Sequence, residues 1–574
     1  MKKVLAALMC VILLLPTLVS CGGIKPNDDD RGAEIPVYLS EEIYNLDPAV
    51  AYTNSSAAKI LSLIFEGLFR LDEDGKVQKA LCTDYKTYTD RDGEFVAEFT
   101  LGDTKWSDDR TVSANDFVYA WKRILEPEFS SKAASMLFDV KNARACKSGD
   151  VSIDDLGVVA ADTKVLQVTF EKEINIDTFI RDLASPALVP LREDKVNRLA
   201  DWASYYATMA TNGPFFVKIF VPGEGSMVLE RSIYYYRDTE EENESLDKYV
   251  NPYRLCIKFE TPEKNYENFK SENIVFDSDL PLSERANASD VETINMLSTQ
   301  TYVFNTTKAP FDNASVRKAL SLAIDRNEIA QKVVYADPAT GIIPNGISDK
   351  SDNDSFRENG GSLIESGAKL DEAKKLISDA KVSNKDITIT VRENQVDLTV
   401  AEYIKGQWEQ LGFKVKLDTP TFEHYTNIEY DQYKDLFDEK YQNCDFDVIV
   451  IDSQMLSTYA FNELSSYAAE FSGMGMDLSN ANFDAVSHIT GYSKPDYDKL
   501  IAQAYEETDT AKRSDLLHQA EAMLVEDMPV MPVFVHKNAY VKNSSLSKLS
   551  ADYFGAVLFK EAKLSGYEKY KTEE

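Results

Sequence analysis

Histidine and tryptophan are scarce in this chain of 574 residues, which has four of each. No two histidines are four residues apart and no HExxH motif occurs, so the sequence does not favour a histidine-rich metal site. GxSxG, the P-loop pattern and GxGxxG after a strand are also absent, which removes common signatures of hydrolases and nucleotide-binding enzymes. We therefore expect a protein that is not an enzyme, with no catalytic residues, no metal site and no cofactor.

Cysteine is equally sparse, and no two of the six cysteines form a CxxC pair. A zinc knuckle and a dithiol redox motif are therefore unsupported. Cys82, Cys146, Cys256 and Cys444 are widely spaced along the body of the chain. Outside the cytoplasm they could form disulfides in any of three connectivities, or they could remain buried free thiols.

Positive charge and long apolar runs are both in short supply. The chain carries 62 Lys and Arg against 96 Asp and Glu, a formal net charge of −34. An acidic surface repels phosphate backbones, so we expect no nucleic-acid partner. Beyond the N-terminus no run approaches the ~20 apolar residues that a membrane span needs.

The N-terminus reads MKKVLAALMCVILLLPTLVSCGG, with two lysines, an apolar run at 4–15 and then Cys21. Residues 1–20 have the pattern of an export signal. An ordinary cleaved signal or an uncleaved anchor helix is the simpler alternative, but the apolar run is short for a span. The segment resembles a bacterial lipobox, which implies that Cys21 carries the lipid and holds the protein at the outer face of the cell membrane. Residues 21–33, rich in Gly, Asp and Pro, are predicted to be a flexible tether.

The body of the chain alternates between strand and helix patterns. Residues 387–391 (ITITV) alternate with period two, 400–411 have helical spacing, Gly412 is placed as a helix stop, and 413–417 alternate again. This order predicts a βαβ unit. Residues 446–451 (FDVIVI) are nearly all apolar, as buried parallel strands are, and 165–170 read as a half-buried strand.

Two helices are clear from their apolar stripes. One begins after Asn313, and the other runs through residues 516–524 until Pro529, after which 530–535 are extended. Together these patterns predict an α/β protein of several structural units, because 574 residues exceed one compact core.

Residues 105–123 read KWSDDRTVSANDFVYAWKR. This stretch resembles the signature of the extracellular solute-binding proteins of peptide ABC transporters, the oligopeptide, dipeptide and nickel-binding family. Further matches follow in the order of that family: residues 46–48, 65–70, 212–215, 229–236, 304–305, 316–326, 343–344 and 521–532. The resemblance covers nearly all of residues 34–545.

The resemblance implies a two-lobed periplasmic-binding-protein-like fold of the large type, with an accessory domain and a two-strand hinge near residues 300 and 530. The implied base lobe is assembled from residues 34–67, 191–300 and 531–574. The implied accessory domain is 68–190, and the second ligand-binding lobe is 301–530. A solute would lie in the cleft and be enclosed when the lobes close.

In peptide-binding members, an aspartate in an Asp-Tyr-x-Asp-Pro stretch after the strand that here is 446–451 holds the ligand's amino terminus. This chain reads IDSQMLSTYAF at 451–461, without Asp-Pro, and Asp452 comes several residues too early. The amine is therefore paired elsewhere, or the ligand is not a free-amine peptide. The resemblance implies ligand contacts at two places: Tyr52, Thr53 and Asn54 on one side, and Asp452, Ser453, Gln454 and Tyr459 on the other.

The implied function is that of a monomeric, lipid-anchored binding protein that delivers an oligopeptide-like solute to an ABC transporter permease. The same transport role with an oligosaccharide, a metal chelate or haem is an alternative, and so is a receptor for a signalling peptide.

Overall fold

The computed structural model describes residues 32–571, apart from 44, 52–53, 201, 205–207, 221–224, 237–247, 352–353, 427–430 and 474–488. The predicted lipid-bearing Cys21, residues 21–31 of the predicted tether, Tyr52 and Thr53 lie outside the described residues. No helix in the described ranges has both the length and the apolar character required to cross a bilayer.

The β-strands lie along the whole described chain. Their bounds are β1 Glu34–Tyr38, β2 Phe69–Leu71, β3 Val77–Lys79, β4 Cys82–Thr89, β5 Phe95–Leu101, β6 Val158–Asp162, β7 Val165–Thr169, β8 Phe215–Phe220, β9 Ser226–Arg231, β10 Arg254–Lys258, β11 Phe276–Asp277, β12 Glu292–Phe304, β13 Ala336–Pro338, β14 Asp386–Thr390, β15 Lys414–Asp418, β16 Phe422–Thr426, β17 Asp431–Asp435, β18 Val448–Gln454, β19 Val530–Lys542, β20 Leu546–Ser547, β21 Ser550–Ala551, β22 Val557–Leu558 and β23 Lys563–Leu564.

The α-helices are interleaved with these strands. Their bounds are α1 Ser55–Ile64, α2 Ala114–Leu125, α3 Ala143–Lys147, α4 Ile176–Asp182, α5 Glu193–Val196, α6 Pro262–Lys270, α7 Leu282–Arg285, α8 Ala314–Leu322, α9 Arg326–Val333, α10 Phe356–Gly360, α11 Leu370–Ala380, α12 Gln395–Glu409, α13 Leu436–Gln442, α14 Ala460–Ser465, α15 Pro495–Glu506 and α16 Thr510–Asp527.

The principal sheet of the described chain has 11 strands in the order β15-β14-β18-β12-β19-β11-β1-β10-β9-β8, with β13 paired to β19. The antiparallel strands β12 and β19 lie at its centre and are each 13 residues long. Strands β1 and β8–β11 flank them on one side and form the sheet of the base lobe. Strands β14, β15 and β18 flank them on the other side and form the sheet of the second lobe.

The two central strands run from one lobe to the other. Glu292 pairs with Tyr540 near the base-lobe strands, and Val303 pairs with Val530 near the second-lobe strands. Their register shifts between Asn295 and Thr299, which interrupts the ladder between the two halves. The two lobes are therefore joined by a continuous pair of strands with an irregular middle.

The predicted βαβ unit is confirmed. Strands β14 and β15 are parallel, and α12 connects them. Asn394 begins α12 by accepting a hydrogen bond from the backbone of Asp397, and Gly412 has a positive φ of 88° just after its end. The strand predicted at 446–451 is β18, which is parallel to β14 and antiparallel to β12. The half-buried strand predicted at 165–170 is β7.

The two predicted helices are confirmed as well. The Asn313 side chain accepts a hydrogen bond from Ser315 N and begins α8, as an N-terminal cap does. The second helix is α16, which ends at Asp527, and the extended segment after Pro529 is β19.

The segment predicted as the accessory domain has a sheet of its own, with the antiparallel order β4-β5-β7-β6. Trp106 and Trp121 are fully buried beside this sheet and the helix α2. The boundaries of the accessory domain and of the lobe segments stay predictions.

The four cysteines of the described residues are free. The cysteine spacing allowed either disulfides or free thiols, and in the structure these four cysteines are free thiols. Burial raises the pKa of Cys82 and of Cys256 to about 11, so both are unreactive thiols near neutral pH.

Candidate binding site between the two lobes

A cavity of about 120 Å³ lies between the two lobes. Residues that follow the carboxyl ends of β1, β11 and β14 line it, together with Asp452 of β18 and residues of β19. Since β1 is parallel to β11 and β14 is parallel to β18, the carboxyl ends of both lobes' parallel strands meet at this crevice. Open α/β sheets bind their ligands at such an edge.

Asp452 is the residue around which the cavity is organised. Its Oδ2 accepts a hydrogen bond from Ser55 Oγ of α1 at 3.0 Å, and its Oδ1 lies 2.7 Å from His536 Nε2. Ser55 belongs to the first segment of the predicted base lobe, Asp452 to the second lobe and His536 to the connecting strand β19. The three side chains therefore join both lobes and one of the strands between them.

The Asp452–His536 contact is a charged pair. Burial opposes the charged form of Asp452, but the positive His536 and the hydrogen bonds from His536 and Ser55 outweigh it and hold the pKa of Asp452 below its usual range. Burial also opposes the charged form of His536, but the negative charge of Asp452 and their hydrogen bond raise the pKa of His536. The lowered pKa of Asp452 and the raised pKa of His536 together indicate an ionised aspartate beside a protonated imidazole.

Further carboxyl groups face the cavity from both lobes. Burial and the neighbouring Asp452 raise the pKa of Asp397, whose oxygens accept hydrogen bonds from Gln300 Nε2 at 2.7 Å and Asn394 Nδ2 at 2.8 Å. Burial, Asp279 and Asp397 raise the pKa of Glu41 to about 8. The cavity therefore gathers carboxyl groups on which burial and mutual repulsion retain protons near neutral pH.

Two cations of the base side balance part of this charge. Lys59 of α1 donates to the carbonyl of Leu39 at 3.1 Å, and burial lowers its pKa. Arg285 of α7 donates to Asp279 Oδ1 at 2.9 Å. Among the described residues, no group of three His, Cys, Asp or Glu side chains is arranged to hold a metal ion.

The loop and helix that follow β18 contact the predicted accessory domain. Lys132 lies 3.1 Å from Glu463 and donates to Ser453 Oγ at 3.2 Å. The Lys132 and Glu463 side chains are only 9% and 5% exposed. The position that follows Asp452 is therefore already next to an ammonium group, supplied by the protein itself.

Asp182, at the end of α4, makes a second contact between the predicted accessory domain and the segment that follows β18. It accepts hydrogen bonds from Ser457 Oγ at 2.5 Å and Asn462 Nδ2 at 3.0 Å. Burial raises the pKa of Asp182 to about 7, and the two hydrogen bonds only partly oppose the rise. The predicted accessory segment and the second lobe thus share a buried polar contact.

The residues predicted from the resemblance lie in different places. Asp452 lines the cavity, whereas Asn54 begins α1 by accepting hydrogen bonds from the backbone of the next turn. Ser453 faces Lys132, Gln454 is buried and donates to the carbonyl of Met455, and Tyr459 precedes α14. A ligand role for any of these residues stays a prediction.

Sequence reasoning did not single out Glu41, Asp279, Asp397 or His536. They lie far apart along the chain, and carboxylates are so numerous in it that position alone does not distinguish them. The one available signal was placement: Glu41, Asp279 and Asp397 each follow a strand at its carboxyl end.

The fold is that of a two-lobed α/β binding protein, and the cavity between its lobes is a candidate ligand site. The family model for bacterial extracellular solute-binding proteins, family 5, matches residues 76–473, and the chain belongs to this family. Its members bind substrates without transforming them, so this chain is a binding protein and not an enzyme. The family is extracellular, which agrees with the export signal predicted at the N-terminus.

Two curated relatives are similar over most of their length. The oligopeptide-binding protein OppA of Bacillus subtilis is 27% identical over 575 residues, which cover 97% of this chain and 98% of OppA. The dipeptide-binding protein DppE of the same organism is 28% identical over 517 residues, 88% of this chain and 86% of DppE.

Solved structures share the fold. Listeria monocytogenes OppA bound to peptide superposes with a TM-score of 0.76 at 22% identity, covering 93% of this chain and 99% of that one. The pheromone receptor PrgZ superposes with a TM-score of 0.77 at 20% identity, covering 93% and 100%. The two-lobed fold implied by the sequence motifs is therefore confirmed.

Proposed function

We propose that this protein is the lipid-anchored binding subunit of an ABC importer, and that it captures an oligopeptide-like solute between its lobes. The observation that carries the proposal is the cavity at the carboxyl ends of both lobes' strands, which contains Asp452, Glu41 and Asp397. The relatives named for oligopeptide and dipeptide binding support the class of solute. Cys21 would carry the lipid that keeps the protein beside its permease.

Capture requires the lobes to move. A cavity of about 120 Å³ is well below the roughly 300–1,000 Å³ of small-molecule sites, so an oligopeptide does not fit the arrangement described here. We infer that β12 and β19 bend where their register shifts and that the cleft opens by breaking contacts such as Ser55–Asp452. A solute then stabilises the closed form to the extent that it touches both lobes.

The ligand's amino group needs a carboxylate partner, because a buried ammonium without one is costly. Asp452 is occupied by His536 and Ser55, and Glu463 by Lys132. We propose Glu41 as the partner: its pKa of about 8 leaves it uncharged in the empty cleft, and an arriving ammonium would displace its proton.

Native mass spectrometry of the protein purified without its first 21 residues tests the solute class. We expect a mixture of peptides of a few residues, and calorimetry should then show that Glu41→Gln binds a free-amine peptide roughly tenfold more weakly than the wild type. An N-acetylated version of the same peptide, which has no ammonium group, is the matched control. Glu41→Gln should bind it with the same affinity as the wild type does. A carbohydrate, a bile acid or a metal chelate as the only co-purified solute would contradict the peptide assignment.

The anchor has a separate test. Cys21→Ala should move the full-length protein from the membrane fraction to the soluble fraction of cells. If the variant still sediments with membranes after a salt wash, the lipid assignment is wrong.

A further inference from the structure

A second cavity, of about 380 Å³, lies at the opposite end of α1 from the cleft. The N-terminal residues of α1 line the cleft and its C-terminal residues line this crevice, and the two cavities share no lining residue. The crevice is bounded by the end of α1, by β2, by residues 184–189 and by residues 550–561. With Pro214 and Tyr235 also in its lining, it lies where the predicted accessory domain meets all three segments of the base lobe, and ligand pockets concentrate at such boundaries.

The wall of this crevice is largely apolar. Leu61 of α1, Phe69 and Leu71 of β2, and Phe559 all line it, and each is at most 5% exposed. Its volume falls in the range of small-molecule sites, roughly 300–1,000 Å³. A crevice of this size and lining would enclose an apolar body such as an aromatic ring.

Glu66 supplies the polar end. Its side chain is 8% exposed, and its Oε2 has no hydrogen-bond partner among the described residues. The residue is held in place through its backbone, because Asn212 Oδ1 accepts from Glu66 N at 3.1 Å and Asn212 Nδ2 donates to Glu66 O at 2.7 Å. Arg70, at 3.4 Å from Oε1, is 47% exposed and is a weak partner. A fixed, buried carboxyl oxygen is thus left to be satisfied by something else.

Acidic side chains outnumber basic ones around the crevice. Arg70 and Lys560 are the cations of its lining, whereas its carboxyl groups are Glu66, Asp72, Glu73, Asp552 and Glu561. Burial raises the pKa of Glu66, and the neighbouring Tyr235 and Tyr236 hydroxyls, Arg70 and Lys560 only partly oppose the rise. Cationic ligands are therefore favoured over anionic ones at this crevice.

We propose that this crevice is a second binding site, for a small amphipathic organic cation whose ammonium group pairs with Glu66 and whose apolar body lies against Leu61, Phe69 and Phe559. The site does not depend on the solute of the cleft, since no residue is shared.

The test uses the protein from residue 22 onward and 2-phenylethylammonium chloride as the probe, titrated by calorimetry and by saturation-transfer NMR. We expect binding at one site, weaker binding of the uncharged analogue 2-phenylethanol, and roughly tenfold weaker binding of the amine by Glu66→Gln, because one charge-assisted hydrogen bond is lost. Binding of 2-phenylethanol should be unchanged by that substitution. Glu73→Gln, the matched change at an exposed carboxylate of the rim, should alter amine affinity by less than about twofold.

A second variant addresses the apolar part of the site. Ser62→Trp would place a large side chain in the crevice from the partly exposed position of α1 that lines it, and both probes should then fail to bind. Thermal unfolding of each variant verifies that it is folded. No binding of the amine at millimolar concentration, equal losses in Glu66→Gln and Glu73→Gln, or loss of the probe in Asp452→Asn would each overturn the proposal.

Discussion

Asp452→Asn removes one charge from the contact on which the interlobe cavity is centred. The variant keeps the size of the side chain and can still accept the hydrogen bond from Ser55, so the principal loss is the charged contact with His536 at 2.7 Å. Both side chains are only 18% exposed. Hydrogen bonds to charged groups contribute roughly 1.5–3 kcal/mol in such surroundings, so we expect the free energy of unfolding to fall by about 2 kcal/mol.

A matched control lies one residue further along β19. Lys537 contacts Asp337 at 2.8 Å, nearly the same distance, but these two side chains are 30% and 51% exposed. Asp337→Asn should therefore cost less than about 1 kcal/mol. Urea unfolding at pH 6, followed by tryptophan fluorescence, measures both variants against the wild type.

The loss of unfolding free energy caused by Asp452→Asn should depend on pH in a direction that the two pKa shifts determine. The pKa of Asp452 is lowered on folding, so its contribution is present above the unfolded value of roughly 4 and is lost as the pH falls. The pKa of His536 is raised, so its contribution is complete below the unfolded value of roughly 6.5 and is lost as the pH rises through the folded value. The cost of Asp452→Asn should therefore be largest between about pH 4 and 6.5. Equal costs for Asp452→Asn and Asp337→Asn throughout this window would refute the reasoning.

Three further predictions follow from single positions. Gly213→Ala should either not fold or have a much lower unfolding temperature, because its Cβ would lie 2.5 Å from the carbonyl carbon of Ile64. Gly406→Ala is the control, on an exposed turn of α12 with open space around it, and should raise stability by roughly 0.5–1 kcal/mol in the same thermal scan. Asp182→Ala removes the hydrogen bonds to Ser457 and Asn462 and should lower the free energy of unfolding by roughly 1–3 kcal/mol in urea titrations, an expectation that an unchanged midpoint would contradict. Stability of the ligand-free protein should fall as the pH rises from 5 to 8, because folded Asp182 holds its proton more tightly than the unfolded chain does; a flat urea midpoint over this range would contradict it.

The sequence predicts the elements of this fold well wherever local chemistry determines them. Asn313 caps α8, Gly412 has the positive φ that ends the helix before β15, and the apolar run at 446–451 lies in a strand with neighbours on both sides. Each of these signals acts within a few residues, and none depends on which distant segment lies beside it. Such local signals do not predict the order of strands in the sheet, because the pairing of β12 with β19 joins residues more than two hundred positions apart.

The candidate site shows the same division. Asp452 could be predicted from the family resemblance, but its partner His536 lies 84 residues away on a strand that is separated from β18 by β12. Glu41 is one acidic residue among 96 in the sequence, and its distinction is burial near Asp279 and Asp397, which only the folded chain creates. Lys132 was equally invisible, because nothing local indicates that its ammonium group meets Glu463.

Small-angle X-ray scattering of the protein, with and without a saturating peptide mixture, tests most directly whether the lobes close around a shared solute. We predict a smaller radius of gyration in the presence of peptide, accompanied by a calorimetric signal of binding. Superimposable scattering curves under conditions where calorimetry reports full occupancy would contradict the account.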